Sequence, residues 1–501
     1  MFMFIKTNKY FYDFSIKIMM SLFCLYLFIL SFEHLLLNLK SQNFWLFKLS
    51  INMSMNQLNS CFSFTLIIII MNIYLFSLYY MNHNNSMYYY PMMMIFSISM
   101  FLMMMAPDLI FMILGWDMLG ISSFFLIMFY QNYISMNKAY LTLLMNRFGD
   151  VLLLICISEE MGVGAAIAAS SQPLHGSCSS SYIMMMGVGA AIVKSAQLPW
   201  SGWLLAAMAA PTPISSLVHS STLVCAGVIL LMYLSELEKS WEWELLLLLV
   251  VSLFMAAVAA MKEYDLKKII ALSTMNQMSF LMISTMISLN LTLGYMMAHA
   301  FFKSSMFISA GFKFHSNKDS QDIRTLGSNN NFLNVQLITM SSLSLTSFFY
   351  STGFFFKEKI LMNLNNSSNM LNIIIYLMIN MSLLLTFTYV FKFINSIFFI
   401  EKNTINKFKN VSMFLNLLMV LSLLSFIISH IIVNYTDSYN FLYKSNKSNM
   451  YLLMFFFLMS LIYLISSSAL SSSSGKLNLL SNLIPNLMGF SFFLMSLIYL
   501  I

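Results

Sequence analysis

Long apolar stretches recur from one end of this chain to the other, and they determine the solvent in which it can fold. Only 9% of the residues are charged and 59% are hydrophobic, whereas a soluble domain carries roughly 25% charged residues. Apolar runs of about 18 residues or more are typical of membrane-spanning helices. Because the runs lack the short alternating segments of a β-barrel, the sequence predicts an all-α, polytopic membrane helix bundle without a soluble domain.

The spacing of the apolar runs predicts about 15 transmembrane helices. The run at Phe14–Leu30 has no small-residue cleavage site, so we expect it to be the first span and not a signal peptide. The predicted spans centre near 15–32, 61–80, 91–106, 109–130, 139–157, 186–206, 213–234, 244–261, 266–288, 292–312, 333–351, 371–393, 411–433, 449–467 and 486–501.

Residue usage indicates the kind of gene that encodes the chain. There are 48 Met and 47 Phe against 7 Pro, and arginine occurs at Arg147 and Arg324 alone. This bias is typical of AT-rich animal mitochondrial genes; the alternative, that Met merely packs well against lipid, leaves the scarcity of Arg and Pro unexplained. The net charge of +7 comes mostly from single loop lysines, which favour membrane topology over nucleic-acid binding. The 5 cysteines are scattered, so we expect no metal or iron–sulfur centre.

One stretch, Lys194 to Thr222, places a lysine, three prolines and a histidine in a strongly apolar region. Proline breaks helical hydrogen bonds, and within a membrane such a break is tolerated only where protein or water satisfies the freed backbone groups. Transporters use interrupted helices of this kind at ion sites. We therefore interpret the stretch as a discontinuous helix whose Lys194 and His219 line an ion path, with a simple packing kink at Pro199 as the alternative.

Ionisable residues within spans are costly and are functional hypotheses by default. Three pairs of these residues are suggested by spacing or by charge. Arg147 and Asp150 are three residues apart and can neutralise each other on one helix face. His299 and Lys303 are four apart, and two neighbouring cations favour a proton-transfer role. The candidate residues of this kind are Asp117, Arg147, Asp150, Lys194, His219, His299, Lys303 and Lys357.

The third pair joins different spans. Asp117 and Lys194 would each be costly alone in lipid, so we expect them to form a buried ion pair. Moving the carboxylate would change how strongly Lys194 holds its proton, which is a physical means of pumping protons. The alternative for Lys194 is that its side chain extends to the membrane interface.

Two segments depart from the regular pattern. The heptapeptide "MGVGAAI" occurs at Met161–Ile167 and again at Met186–Ile192, which we interpret as a local duplication or an error in the deduced sequence. Ser466–Asn482 is a polar linker before the last apolar run.

Five segments, "KSAQLPWSGWLLAAMAAPTPISSLVHSSTLV", "EYDLKKIIALST", "AHAFFKSSMF", "DSQDIR" and "NRFGD", occur together in the central part of the chain. This combination resembles the chain 5 family of mitochondrial NADH–ubiquinone oxidoreductase, one of the antiporter-like membrane subunits of respiratory complex I. The resemblance runs from about Asp108 to Lys359. It divides the chain into N-terminal helices (1–107), a proton-translocating core (108–360) and C-terminal helices (361–501).

The resemblance implies a proton relay and a second discontinuous helix. Asp117 matches the family's carboxylate, Lys194 and His219 the lysine and histidine of the first discontinuous helix, Lys303 the lysine of the later helix with His299 one turn before it, and Lys357 the lysine near the proton exit. The implied function is proton pumping in the mitochondrial inner membrane, coupled to electron transfer from NADH to ubiquinone in other subunits. No cofactor is expected in this chain, since NAD, FMN, iron–sulfur clusters and ubiquinone belong to other subunits.

The implied partners are the other complex I subunits, above all the neighbouring antiporter-like subunit, together with membrane lipids. Three departures from the family stand out: Leu205 replaces a usual proline, no proline marks the second discontinuous helix, and no lateral helix is recognisable after Lys402. The alternatives are a subunit of a sodium/proton antiporter, disfavoured by residue usage, and a structural subunit that has lost transport, disfavoured by the retained charged positions.

Overall fold

The computed structural model describes residues 57–81, 86–106, 109–169, 177–235, 242–317, 320–324, 332–348, 351–365 and 370–398. The predicted spans near 15–32, 411–433, 449–467 and 486–501, the linker Ser466–Asn482 and the question of a lateral helix after Lys402 lie outside these residues.

The described residues are helical almost throughout and contain no strand, as predicted. The α-helices are α1 (Gln57–Tyr80), α2 (Ser86–Met105), α3 (Leu109–Ile127), α4 (Tyr133–Ala169), α5 (Ser177–Lys194), α6 (Gly202–Ala206), α7 (Thr212–Ser220), α8 (Leu223–Ser235), α9 (Glu242–Lys262), α10 (Leu266–Thr285), α11 (Leu289–Ser316), α12 (Phe332–Thr346), α13 (Thr352–Asn365) and α14 (Met370–Phe398). Short 3₁₀ segments follow α3 at Met128–Tyr130 and α6 at Ala207–Ala209. The first copy of the repeated heptapeptide lies in the last part of α4 and the second lies in α5.

Several helices have the length and composition of membrane spans. Within the described part of the chain, 6 segments are long and apolar enough to cross a membrane. They are Tyr88–Met105, Leu109–Tyr130, Tyr133–Glu159, Thr212–Leu234, Trp243–Lys262 and Ile374–Ile394. The chain is therefore a multi-pass membrane protein.

The bundle buries many polar side chains alongside its apolar core, and it exposes large apolar side chains on its outside. Every residue of α10 except Lys268 is buried, including the polar Ser273, Asn276 and Gln277. By contrast, outer helices expose large apolar side chains such as Leu144 on α4. The apolar outer face suits contact with lipid, and burial places the polar residues where neighbouring helices can satisfy them.

The first predicted interruption is present. Helix α5 ends at Lys194, Ala196 adopts a left-handed conformation with φ of 57°, and the chain resumes as the short helix α6. The Trp203 indole N–H donates to the carbonyl of Val193 at 2.9 Å, which satisfies one of the acceptors freed at the end of α5.

The second interruption forms without proline. Helix α12 ends at Thr346, Ser347 has a positive φ of 61°, and α13 begins at Thr352. Gly353 allows the two halves to approach, because a Cβ atom there would lie only 2.1 Å from the Ser344 carbonyl oxygen. The structure thus contains both predicted discontinuous helices.

Candidate functional site

An arginine joins two carboxylates between α3 and α4. The Arg147 guanidinium lies 3.5 Å from Asp117 and 3.3 Å from Asp150. The predicted pairing of Arg147 with Asp150, one helical turn apart, is therefore confirmed. The two carboxylates differ in environment, since the side chain of Asp117 is 42% exposed and that of Asp150 only 7%.

Lys194 ends α5 in the interior of the bundle with no exposed surface. Its ammonium lies 3.9 Å from Asp150 Oδ1, and it donates to the Trp116 carbonyl oxygen at 3.2 Å. The predicted direct pair between Asp117 and Lys194 is wrong, because Asp117 lies toward the outside of the bundle and is held there by Arg147. Asp150 is the carboxylate that faces the lysine, so the four groups form the series Asp117, Arg147, Asp150, Lys194.

His219 lies in the last turn of α7 and is completely buried. Its ring stacks on Phe307 of α11 with centroids 5.9 Å apart. Neither ring nitrogen has a hydrogen-bond partner among the described residues. A buried imidazole with both nitrogens available for donors, acceptors or water is suited to receive and release a proton.

His299 and Lys303 lie one turn apart on α11, and neither has exposed surface. The Lys303 ammonium donates to the hydroxyl of Ser273 on α10 at 2.5 Å. The His299 ring packs edge-on against Phe302, with centroids 5.4 Å apart. Lys303 thus faces α10 from α11, and His299 is buried one turn before it.

Lys357 lies on α13, just beyond the second interruption. Its ammonium donates to the Leu345 carbonyl at 2.6 Å and lies 5.2 Å from the centre of the Phe280 ring. The adjacent Glu358 is also buried, and its Oε1 has no hydrogen-bond partner in the described part of the chain. A buried lysine and a buried carboxyl group thus follow the second interruption as consecutive residues of α13.

Sequence reasoning missed two residues that the structure places at this site. Lys267 is buried on α10 and donates to the carbonyl oxygens of Ala210 at 2.6 Å and Met208 at 3.2 Å, next to the start of α7. Its neighbour Lys268 is exposed and pairs with Asp265 at 2.7 Å. The signal was present: Lys267 lies three and four residues before the apolar Ile270 and Ala271, on the inward face of the helix.

Trp116 is the second missed residue. Its indole N–H donates to Asp150 Oδ1 at 2.8 Å, and the Lys194 ammonium lies 4.5 Å from the ring centre. The side chain has no exposed surface. Its position immediately before Asp117 was the available signal.

The arrangement defines a class: a multi-pass helical membrane protein with two interrupted helices and a series of buried ionisable groups suited to carrying protons. Comparison with known families agrees with this class. The family model described as "NADH:quinone oxidoreductase/Mrp antiporter, TM" matches residues 106–383. The chain belongs to this family.

Individual relatives support the same assignment. The NADH-ubiquinone oxidoreductase chain 5 of Caenorhabditis elegans is 35% identical over 370 residues, which cover 73% of this chain and 69% of the relative. The chain 5 protein of Locusta migratoria is 42% identical over 272 residues, covering 53% of this chain and 48% of the relative. The match thus spans about half the length of several curated relatives.

Solved structures share the fold. A chain of the Mrp complex from Dietzia sp. superimposes with a TM-score of 0.71 at 19% identity, covering 89% of this chain and 52% of that one. A chain of an archaeal membrane-bound sulfane sulfur reductase gives a TM-score of 0.67 at 16% identity, covering 77% and 82%. At these identities the likeness concerns the fold alone.

Proposed function

We propose that this chain is a proton-translocating subunit of respiratory complex I in the mitochondrial inner membrane. The observation that carries the proposal is the fully buried Lys194, which ends the first interrupted helix 3.9 Å from Asp150. A buried lysine whose counter-ion can be moved is able to gain and lose a proton. The name of the chain 5 relatives and the mitochondrial residue usage support the complex and the compartment.

In this proposal the chain carries protons and contributes no redox chemistry. Electron transfer from NADH to ubiquinone, with its FMN and iron–sulfur clusters, takes place in other subunits. Lys194 receives a proton and passes it through His219 and Lys303, assisted by His299 and bound water, toward Lys357, which releases it. The buried hydroxyl of Ser273 beside Lys303 supports the middle of this route.

The trigger in this proposal is a charge that arrives from a neighbouring antiporter-like subunit. The outer face of α3 and α4 suits such a partner, because the half-exposed Asp117 and Arg147 interrupt a surface of exposed Leu114, Met118 and Leu144. Charged groups facing lipid are costly, whereas a protein partner with polar groups would satisfy them. A perturbation at Asp117 would reach Lys194 through Arg147 and Asp150.

The test compares Lys194→Met with Lys268→Met in the assembled complex. Native electrophoresis with NADH staining first shows whether each variant is in the complex, and proteoliposomes then give the protons moved per electron pair. We expect a lower ratio for Lys194→Met and a wild-type ratio for Lys268→Met, because Lys268 is on the surface and pairs with Asp265. An unchanged ratio in Lys194→Met would remove Lys194 from the route.

The same preparation distinguishes the sodium/proton antiporter and the structural alternatives from the proposed function. If the chain is absent from the NADH-active band, and its own membranes exchange sodium for protons without NADH, the sodium/proton antiporter function replaces the complex I assignment. If it is present but no buried lysine affects the ratio, the structural role replaces the pumping role.

A further inference from the structure

Trp116 contacts both members of the central ion pair. Its indole N–H donates to Asp150 Oδ1 at 2.8 Å. Its carbonyl oxygen accepts a hydrogen bond from the Lys194 ammonium at 3.2 Å, and its ring centre lies 4.5 Å from the same ammonium.

The distances show how Asp150 and Lys194 are kept apart. The oxygen that faces the lysine, Oδ1, accepts a hydrogen bond from the indole N–H, and the ammonium stands 3.9 Å away, beyond hydrogen-bonding distance. The other oxygen, Oδ2, faces Arg147 at 3.3 Å. The ammonium is instead satisfied by the Trp116 carbonyl and by a cation–π contact with its ring.

We propose that Trp116 is a positioning residue that holds Asp150 and Lys194 as a separated ion pair. A direct hydrogen bond between a buried ammonium and a carboxylate is strong and charge-assisted, and it would hold the lysine's proton against transfer. By fixing the position of Oδ1, the indole N–H keeps the carboxylate close enough to act on Lys194 but beyond hydrogen-bonding distance of its ammonium. The inference rests on the proposed function. It attributes the ability of Lys194 to release its proton to the uncharged side chain of Trp116.

The groups that face this pair are few and can be named. The charged groups that act on the pair are Asp117 of α3 and Arg147 of α4. Trp116 of α3 is the uncharged group that contacts it. Replacing the tryptophan changes no charge among them. Any change in the pH dependence of pumping after that replacement therefore reflects the geometry of the pair.

Trp116→Phe tests the proposal, since phenylalanine keeps an aromatic ring and the backbone carbonyl but lacks the indole N–H. We expect Lys194 to close onto the freed Oδ1 and to hold its proton more strongly. Proton pumping at neutral pH then falls on the order of tenfold, the scale of one hydrogen bond to a charged group, and the pH of maximal pumping moves upward.

Trp203→Phe is the matched control. Trp203 is equally buried, and its indole N–H also makes one hydrogen bond near Lys194, but to the uncharged Val193 carbonyl. We expect the control to lose stability without moving the pH of maximal pumping. Equal pH profiles for the two variants would overturn the proposal.

Two further variants make the result decisive. If Trp116→Phe fails to assemble, Trp116→Gln, which retains an uncharged side-chain N–H donor, is measured: a wild-type pH optimum supports the proposal, and a shifted optimum overturns it. Lys194→Met is measured in parallel. A normal pumping ratio in that variant contradicts the proposed function, whereas a reduced ratio with identical tryptophan variants contradicts only the role of Trp116.

Discussion

Asp150 and Lys194 face each other at 3.9 Å across the contact between α4 and α5, while Asp117 remains on the outer side of Arg147. We therefore predict that Asp150→Asn is the more damaging of the two carboxylate substitutions. It leaves Lys194 buried without an adjacent counter-ion, which costs roughly 3–5 kcal/mol of stability. Thermal unfolding of the assembled complex and the protons moved per electron pair measure the effect.

Asp117→Asn is the comparison for that substitution. It leaves the Asp150 carboxylate in place beside Lys194, so a smaller loss of stability is expected. If Asp117→Asn lowers the melting temperature as much as Asp150→Asn, the outer carboxylate matters to Lys194 more than the geometry indicates.

Lys267 holds the chain at the end of the first interrupted helix. Lys267→Met leaves the buried carbonyl oxygens of Met208 and Ala210 without this donor, and each unsatisfied buried group costs about 1–3 kcal/mol. We expect a lower melting temperature and reduced pumping, because the start of α7 is no longer anchored and His219 lies in the last turn of that helix.

Its neighbour supplies the control. Lys268→Met removes an exposed ion pair with Asp265, which is worth about 1 kcal/mol or less. Equal effects of the two substitutions on melting temperature would mean that the carbonyl contacts of Lys267 contribute little.

Gly353 is required by the second interruption. Gly353→Ala places a Cβ atom 2.1 Å from the Ser344 carbonyl oxygen, so the backbone must shift at a cost of about 1–3 kcal/mol or more. The shift also disturbs the hydrogen bond from Lys357 to Leu345, and we expect lower pumping together with a lower melting temperature.

Gly202→Ala is the matched control, since nothing lies within 4 Å of the added Cβ atom there. A change of about 0.5 kcal/mol or less is expected. If the two alanine variants melt at the same temperature, the close approach at Gly353 is not a constraint.

Two carboxyl groups outside the membrane-spanning segments give a pH-dependent contact. Backbone hydrogen bonds from Leu266 to Gln321 and from Ile323 to Tyr264 join the α9–α10 turn to the segment after α11. The pKa of Asp265 is lowered, first by a hydrogen bond from Asp322 and then by Lys268. The same contact raises the pKa of Asp322.

The signs of these two shifts are opposite. The contribution of Asp265 is present above its unfolded pKa and is lost as the pH falls through its folded pKa. Ionised Asp322 instead weakens the contact above its own raised pKa. Asp322→Asn removes that repulsion and keeps a donor, so we expect slower hydrogen exchange of the Leu266 and Ile323 amides than in the wild type at about pH 7, and a smaller difference at about pH 4.

Asp322→Ala separates the two causes, because it removes the charge without supplying a donor. Equal protection in the Asn and Ala variants would show that repulsion alone matters, and faster exchange in Asp322→Asn at about pH 7 would contradict the sign of the effect.

The helices and the first interruption could be predicted because they depend on local sequence. Apolar runs of sufficient length define the described spans, three prolines beside Lys194 indicate a break, and a spacing of three residues brings Arg147 to Asp150. None of these inferences requires knowledge of how one helix packs on another.

The pairing of Lys194 was not predictable in this way. It depends on the rotation of α3 against α4, which turns Trp116 inward and leaves Asp117 half exposed. The sequence of the second interruption contains no proline that would predict a break. The break depends on Ser347 in a left-handed conformation and on the small volume of Gly353. These features are properties of tertiary contacts, and single-sequence patterns carry little information about them.

Four charges of alternating sign, Asp117, Arg147, Asp150 and Lys194, stand in one row with neighbours 3.3–3.9 Å apart. Ion pairs can form within this row in two arrangements. In one arrangement, Asp117 pairs with Arg147 and Asp150 pairs with Lys194. In the other, Arg147 pairs with Asp150, and Asp117 and Lys194 have no partner in the row. A cation brought to Asp117 from outside would favour the second arrangement, so an event at the rim of the bundle would change the partner of a lysine at its centre.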